Sequence, residues 1–209
     1  MAAPRLALVG MARAACAWVL AVGLPATSAE PEKLPVAGMY EGLMLAVAPD
    51  GRVTGSFQQA QGEGVVKQCR FLLVASSAMQ PMSVVTWSTQ AFSGTLVAHA
   101  NELALKVSRL REHPGCASVL PPDEGQGLVL DRQFEAQWIE LRRVQAERAP
   151  MQADVDKSSG ARGYLVRGDI VAVLAVRGQR MLVDYPGAKR TVRAWLDASD
   201  TEGFVPPSR

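Results

Sequence analysis

Few residues of this sequence are placed so that they could do chemistry. His99 and His113 are its only histidines, and they lie on different predicted segments. Their spacing therefore offers neither a set of metal ligands nor a Ser-His-Asp triad. His99 falls in a predicted turn, and His113 stands before Pro114 and Gly115, which predicts a solvent-exposed loop. We predict no catalytic histidine, no metal site and no cofactor.

Acidic side chains are the next candidates, because a glycan-cleaving enzyme needs two carboxyl groups facing each other across a cleft. Five of them lie beside strand or turn signals without a recognisable catalytic context: Glu41, Glu63, Glu102, Glu135 and Glu140. Solvated charges on strand surfaces explain them. We predict that the chain is not an enzyme, and a hydrolase whose acids are not recognisable is the least favoured alternative.

Cys69 and Cys116 are the two cysteines outside the N-terminal segment, where Cys16 lies. An even pair in an exported chain predicts a disulfide. Closing a loop of that length stabilises a fold by about 4 kcal/mol in the chain-entropy model. An oxidised pair contains no thiolate nucleophile, so the pairing also argues against a cysteine-based enzyme.

Residues 1–29 have the layout of a signal peptide. They contain two arginines, no acidic residue and an uncharged apolar stretch at residues 14–24, which is shorter than the roughly 20 residues that span a bilayer. Thr27, Ser28 and Ala29 provide a cleavage site before Glu30. A retained N-terminal anchor is the alternative. We expect a periplasmic or secreted protein without membrane insertion after signal cleavage.

The charge of the mature chain excludes some partners. Arg5 and Arg13 leave with the leader, so the remaining 20 of the 22 basic residues equal the 20 acidic ones. A neutral chain gives no electrostatic reason to bind nucleic acid or an anionic membrane surface. The remaining 180 of 209 residues are enough for one large domain or two small ones.

The region at residues 36–148 is predicted to be all-β, because short apolar runs alternate with turn residues at intervals of about ten residues. Eight runs suggest an eight-stranded barrel-like or sandwich domain. The runs are residues 39–48, 52–58, 65–75, 82–87, 94–99, 102–107, 127–130 and 134–144. The last run could also be a helix, and a strand ending near Val144 is favoured. Residues 109–125 are predicted to form a loop that the disulfide attaches to the strand of Cys69.

A second small β unit is predicted at residues 153–205, after a polar segment. Tyr164-Leu165, Gly168-Asp169, Tyr185, Ala194-Trp195-Leu196 and Ser199-Asp200 follow one another there. This succession resembles the bacterial SH3-like (SH3b) domains. The resemblance implies a small β-barrel. Ala194 stands where the family usually has glycine, which affects only a close backbone approach at that point.

The resemblance also implies where a ligand would bind. In SH3-like folds the equivalent aromatic positions either fill the small barrel or line its ligand groove. We predict partner binding by Tyr164, Asp169 and Tyr185, and a core position for Trp195. The expected function is non-catalytic binding to a protein partner of the cell envelope, as inhibitor-like or immunity-like proteins do. The alternative is a module that binds peptidoglycan.

Overall fold

The computed structural model describes residues 34–63, 66–122, 126–156, 160–187 and 190–208. The predicted signal peptide, residues 1–29, lies outside the described residues. The described residues belong to one compact unit. Among these residues, none of the helices has the length and hydrophobicity of a transmembrane span.

The first half of the chain forms a closed eight-stranded antiparallel barrel, in which each strand pairs with the next and the last pairs with the first. This confirms the all-β prediction and selects the barrel over the sandwich. The strands are β1 Gly38–Tyr40, β2 Leu43–Val47, β3 Val53–Gln61, β4 Lys67–Ala75, β5 Met82–Trp87, β6 Ala91–Ala98, β7 Glu102–Val107 and β8 Leu128–Glu135.

Alternation of side chains along the strands fills the barrel. In β4, for example, Cys69, Phe71 and Leu73 are buried while Gln68 and Arg70 are exposed, because successive residues of a strand point to opposite faces. Phe57 on β3 is the register partner of Phe71, and the two rings stack at 4.7 Å. An eight-stranded barrel is just wide enough for such side chains to fill its interior.

The loop between β7 and β8 closes one end of the barrel. It contains a 3₁₀ turn, Leu110–Glu112, and a short helix α1, Cys116–Val119, whose apolar residues join the barrel core. The Cys69–Cys116 disulfide holds α1 against β4, as the sequence predicted. Such a bond indicates a protein that folds outside the reducing cytoplasm.

The second β unit consists of two sheets. A two-stranded ribbon pairs β10 Arg148–Pro150 with β11 Tyr164–Val166. A five-stranded sheet has the order β14-β13-β12-β9-β15. Its strands are β9 Glu140–Val144, β12 Ile170–Arg177, β13 Arg180–Pro186, β14 Thr191–Asp197 and β15 Thr201–Gly203, with a 3₁₀ turn, Ala198–Asp200, before the last.

The five-stranded sheet packs on both faces. One face covers a core that includes Val144, Val173 and Leu196, and the other contributes Leu141 and Ala172 to a separate buried cluster. That second cluster also includes Ala46 and Trp138, so it joins the outer surface of the barrel to the sheet. Backbone bonds reinforce this junction: the Val47 amide donates to the carbonyl of Trp138.

Some predicted runs are divided differently in the structure. Residues 128–130 and Phe134, assigned to separate runs, lie in one strand, β8. Residues 39–48 form two strands, because the backbone turns at Glu41 and Gly42, where glycine takes φ +73°. Residues 134–144 belong to two sheets: β8 ends in the barrel, and β9 pairs with β12 and β15. A strand from the region assigned to 36–148 thus completes the sheet of the region assigned to 153–205.

Candidate functional site

Asp169 and Tyr185, two of the three predicted binding residues, meet in the structure. The Tyr185 hydroxyl donates to Oδ1 of Asp169 at 3.4 Å. The other carboxylate oxygen accepts the Val166 amide at 2.9 Å, which fixes the acid in the turn between β11 and β12. Burial, and then the charge and hydrogen bond of Asp169, raise the pKa of Tyr185. The phenol therefore stays neutral and acts as a hydrogen-bond donor.

Tyr164, the third predicted residue, lies elsewhere. It is half exposed on β11, opposite Pro150 of β10. The guanidinium of Arg148 lies over its ring, 4.7 Å from the centroid, in a cation–π geometry. Tyr164 does not line the cleft that contains Asp169 and Tyr185. The three predicted residues thus mark two separate surfaces.

Asp169 and Tyr185 form one wall of a cleft of about 490 Å³ between the barrel and the second β unit. Outward-facing residues of β1 to β4 form the other wall. The full lining is Met39, Gly42, Met44, Ser56, Gln58, Arg70, Gly168, Asp169, Ile170, Tyr185, Pro186 and Gly187. This volume is within the range of about 300–1,000 Å³ typical of ligand sites.

A neighbouring cleft of about 260 Å³ extends the first one. The two share five lining residues, Ser56, Gln58, Arg70, Gly168 and Ile170, so we treat them as one surface, the junction groove. The extension adds Trp87, Ser88 and Arg143. Arg143 is neutralised by Glu202 at 2.6 Å.

Arg70 gives the junction groove its free positive charge. It is exposed on β4, opposite Gln58 on β3, and no ion pair is found for it among the described residues. Asp169, across the groove, carries the negative charge. The groove thus offers a guanidinium, a carboxylate and a neutral phenol to a ligand, with methionine and proline surface between them.

The sequence could not single out Arg70 and Gln58. Their alternation with Cys69, Phe71 and Phe57 places them on the outside of the barrel. Every outward-facing polar residue of the barrel shows the same alternation, so the pattern does not distinguish these two residues from the others. Which part of the outer surface faces the second β unit depends on β9, whose place in the five-stranded sheet was not predicted.

His113 is buried at the end of the barrel rather than exposed as predicted. Its side chain is 1% exposed and stacks on Phe71 at 4.8 Å. Nε2 lies 3.0 Å from the Thr86 hydroxyl and Nδ1 lies 3.3 Å from the Ser88 hydroxyl. Burial lowers the pKa of His113 to about 4, so the ring is neutral at neutral pH. The disulfide nearby holds the loop that buries it.

The contact between Ser88 and His113 resembles a nucleophile beside its base. However, the group on the other ring nitrogen is the Thr86 hydroxyl rather than a carboxylate, and an imidazole of such low pKa accepts protons poorly. The geometry instead satisfies both nitrogens of a buried ring. We assign His113 to the closure of the barrel end.

Comparisons with known proteins give no relative: no protein-family model, no curated protein and no solved structure matches this chain. Within the described ranges, no group of three or more His, Cys, Asp or Glu residues is placed to hold a metal ion.

Proposed function

We propose that this chain is an exported, non-catalytic binding protein that engages a protein partner of the cell envelope through the junction groove. The observation that carries the proposal is the groove itself, in which the Asp169–Tyr185 pair faces the guanidinium of Arg70, a side chain without an ion pair among the described residues. Both walls belong to sheets that are packed and hydrogen-bonded to each other. The Val166 amide and the Tyr185 hydroxyl hold the Asp169 carboxylate in place before a partner arrives. Preorganisation of this kind lowers the entropy lost on binding.

The chemistry of the groove favours a polypeptide over a small ion. Opposite charges on its two walls fit a segment that carries both hydrogen-bonding backbone and side chains of either charge. The apolar surface of Met39, Met44 and Pro186 lies beside these charges. Methionine and arginine are both enriched at protein–protein interfaces relative to the rest of the surface.

The second β unit also supports a binding role. Tyr164 and Leu165 lie in β11, Tyr185 lies near the end of β13, and Trp195 lies in β14, before the 3₁₀ turn. This order agrees with the sequence pattern of the SH3b domains, which bind proteins or cell-wall material. The disulfide supports export, because it persists in oxidising compartments.

Capture of partners from the periplasm tests the proposal. The wild-type chain, an Arg70→Glu variant and an Arg167→Glu control should be immobilised in parallel. Arg167 is exposed on the turn after β11 and does not line the groove. A protein retained by the wild type and the control, and lost with Arg70→Glu, is the expected result. Co-sedimentation of all three chains with purified peptidoglycan, instead of protein capture, would overturn it in favour of a wall-binding module.

A further inference from the structure

A second cleft, of about 460 Å³, lies between the end of β8 and the strands β12 to β14. It shares no lining residue with the junction groove. Its lining consists of Phe134, Glu135, Ala136, Gln137, Trp138, Leu174, Asp184, Thr191 and Arg193. The proposed function does not involve this surface, and of its lining residues the sequence analysis considered only Glu135 as a candidate for chemistry.

The cleft contains a guanidinium held in a fixed position. Arg193 donates from Nε to Oδ1 of Asp184 at 2.8 Å and from Nη2 to Oδ2 at 3.0 Å. Asp184 is 5% exposed, and the Trp138 indole also donates to it at 3.1 Å. An arginine has five N–H donors, so three remain for a ligand. Because Asp184 already orients the side chain, little entropy is lost when they are used.

The charges in this cleft are largely compensated. Asp184 and Arg193 neutralise each other, and Glu135 pairs with Arg132 at 2.9 Å. The exposed side chains of Gln137 and Thr191 add neutral donors and acceptors. Such a surface favours a ligand rich in hydrogen-bonding groups, because its charges are already compensated and give an ionic ligand little further attraction.

Phe134 supplies a flat apolar surface beside these polar groups. Its ring is 44% exposed, and it meets the buried indole of Trp138 edge to face, with centroids 5.8 Å apart. Trp138 thereby restricts the ring while leaving it accessible. An apolar ring next to directional donors and acceptors matches a sugar, whose C–H face packs on an aromatic surface while its hydroxyls take hydrogen bonds.

We propose that this second cleft binds a neutral saccharide, with Phe134 as the stacking platform and Gln137, Thr191 and Arg193 as hydrogen-bonding groups. The site is independent of the junction groove, so the chain could hold a glycan and a protein partner at once. Its occupancy does not depend on the partner proposed above.

Titration of the isotope-labelled full chain by NMR tests the site, with cellotetraose, maltotetraose and the N-acetylglucosamine tetramer as neutral probes and a galacturonic acid tetramer as a charged one. At least one neutral probe should shift the resonances of residues 134–138 and 191–193. Phe134→Ala should weaken that binding about tenfold. Gln137→Ala, at an exposed position, should weaken it severalfold without affecting the fold, and Tyr185→Ala in the other groove should not change it.

Three results would overturn the proposal. The neutral probes could all leave the spectrum unchanged, or they could shift residues outside the cleft. Alternatively, the acidic tetramer could bind more tightly than the neutral ones with a strong dependence on salt, which would make the site a receptor for anions.

Discussion

The indole N–H of Trp138 donates to Oδ2 of Asp184 at 3.1 Å, across 46 residues of sequence. Trp138 lies in the connection that leaves the barrel, and Asp184 lies in β13 of the second β unit. Both side chains are buried. A buried carboxylate that loses a donor keeps its desolvation cost, so this bond couples the barrel to the sheet energetically.

Trp138→Phe should therefore lower the free energy of unfolding by roughly 2 to 4 kcal/mol, from lost volume and from the lost donor. Trp195→Phe is the matched control, because Trp195 is also buried but has no hydrogen bond to Asp184. Urea unfolding of both variants measures the difference. Equal losses in the two would show that the bond to Asp184 contributes nothing.

The Cys69–Cys116 bond should contribute to stability and not to binding. Replacing both cysteines by alanine should cost about 2 to 5 kcal/mol, because the bond closes a loop with a sequence separation of 47. Unfolding in denaturant measures the loss of stability. Capture of the same partner by the folded variant checks that the bond does not contribute to binding. A variant that folds as stably as the wild type would contradict the first half.

Gly115→Ala probes the same loop with the disulfide intact. Gly115 has φ +78°, and a Cβ there would overlap the carbonyl oxygen of Gln68. The variant should lower the unfolding free energy by about 1 to 3 kcal/mol. Gly178→Ala is the control, since its φ is also positive, at +59°, but nothing lies within 4 Å of the added carbon. If the Gly115 variant is no less stable than the control, the overlap of the added Cβ with the Gln68 carbonyl oxygen has no effect on stability.

Some features of this fold could be predicted from local sequence and others could not. A local turn signal such as Pro49-Asp50-Gly51 is enough to indicate a hairpin, and Gly51 takes φ +85° between β2 and β3. By contrast, nothing local distinguishes the part of residues 134–144 that stays in the barrel from the part that joins the other sheet. That choice depends on Leu141 and Trp138 packing against Ala46 and Ala172, which are distant in the chain.

The candidate functional site also combines residues that local sequence could indicate with residues that it could not. The aromatic at position 185 and the acid at 169 were found because they lie in a short motif, whereas Arg70 became part of the groove only through tertiary packing. His113 was predicted to be exposed because Pro114 and Gly115 follow it. The disulfide one residue further on holds this loop against β4, and the loop carries the ring into the core.

Stability should fall in acid because of His113. The folded pKa of about 4 lies below the reference value of 6.5, so the unfolded chain binds the proton first. The stabilisation is complete above pH 6.5 and is lost as the pH falls towards 4, by up to about 3 kcal/mol. Unfolding measured across this range should lose that slope in His113→Phe and keep it in His99→Ala, because His99 is an exposed turn residue. An unchanged slope in His113→Phe would assign the acid sensitivity to other groups.

The sequence predicts a second β unit at residues 153–205, and two fragments test which boundary gives a unit that folds on its own. A fragment of residues 153–205 lacks β9, which lies between β12 and β15, and should not unfold cooperatively. A fragment of residues 136–208 retains β9 and should unfold cooperatively. Thermal unfolding followed by circular dichroism compares the two. A cooperative transition in the shorter fragment would place the boundary after β9.

The two predicted tyrosines should now behave differently in partner binding. Tyr185 lines the junction groove and Tyr164 does not. Tyr185→Ala should therefore weaken binding of the captured partner by about 1 to 2 kcal/mol, as truncation of an interface aromatic often does. Tyr164→Ala should leave the affinity unchanged, and both variants should melt close to the wild type because neither ring is fully buried. Affinities measured by calorimetry decide between the surfaces. If Tyr164→Ala weakens binding while Tyr185→Ala does not, the partner binds on the β10–β11 ribbon, where Arg148 covers the Tyr164 ring, and the junction groove is not the site.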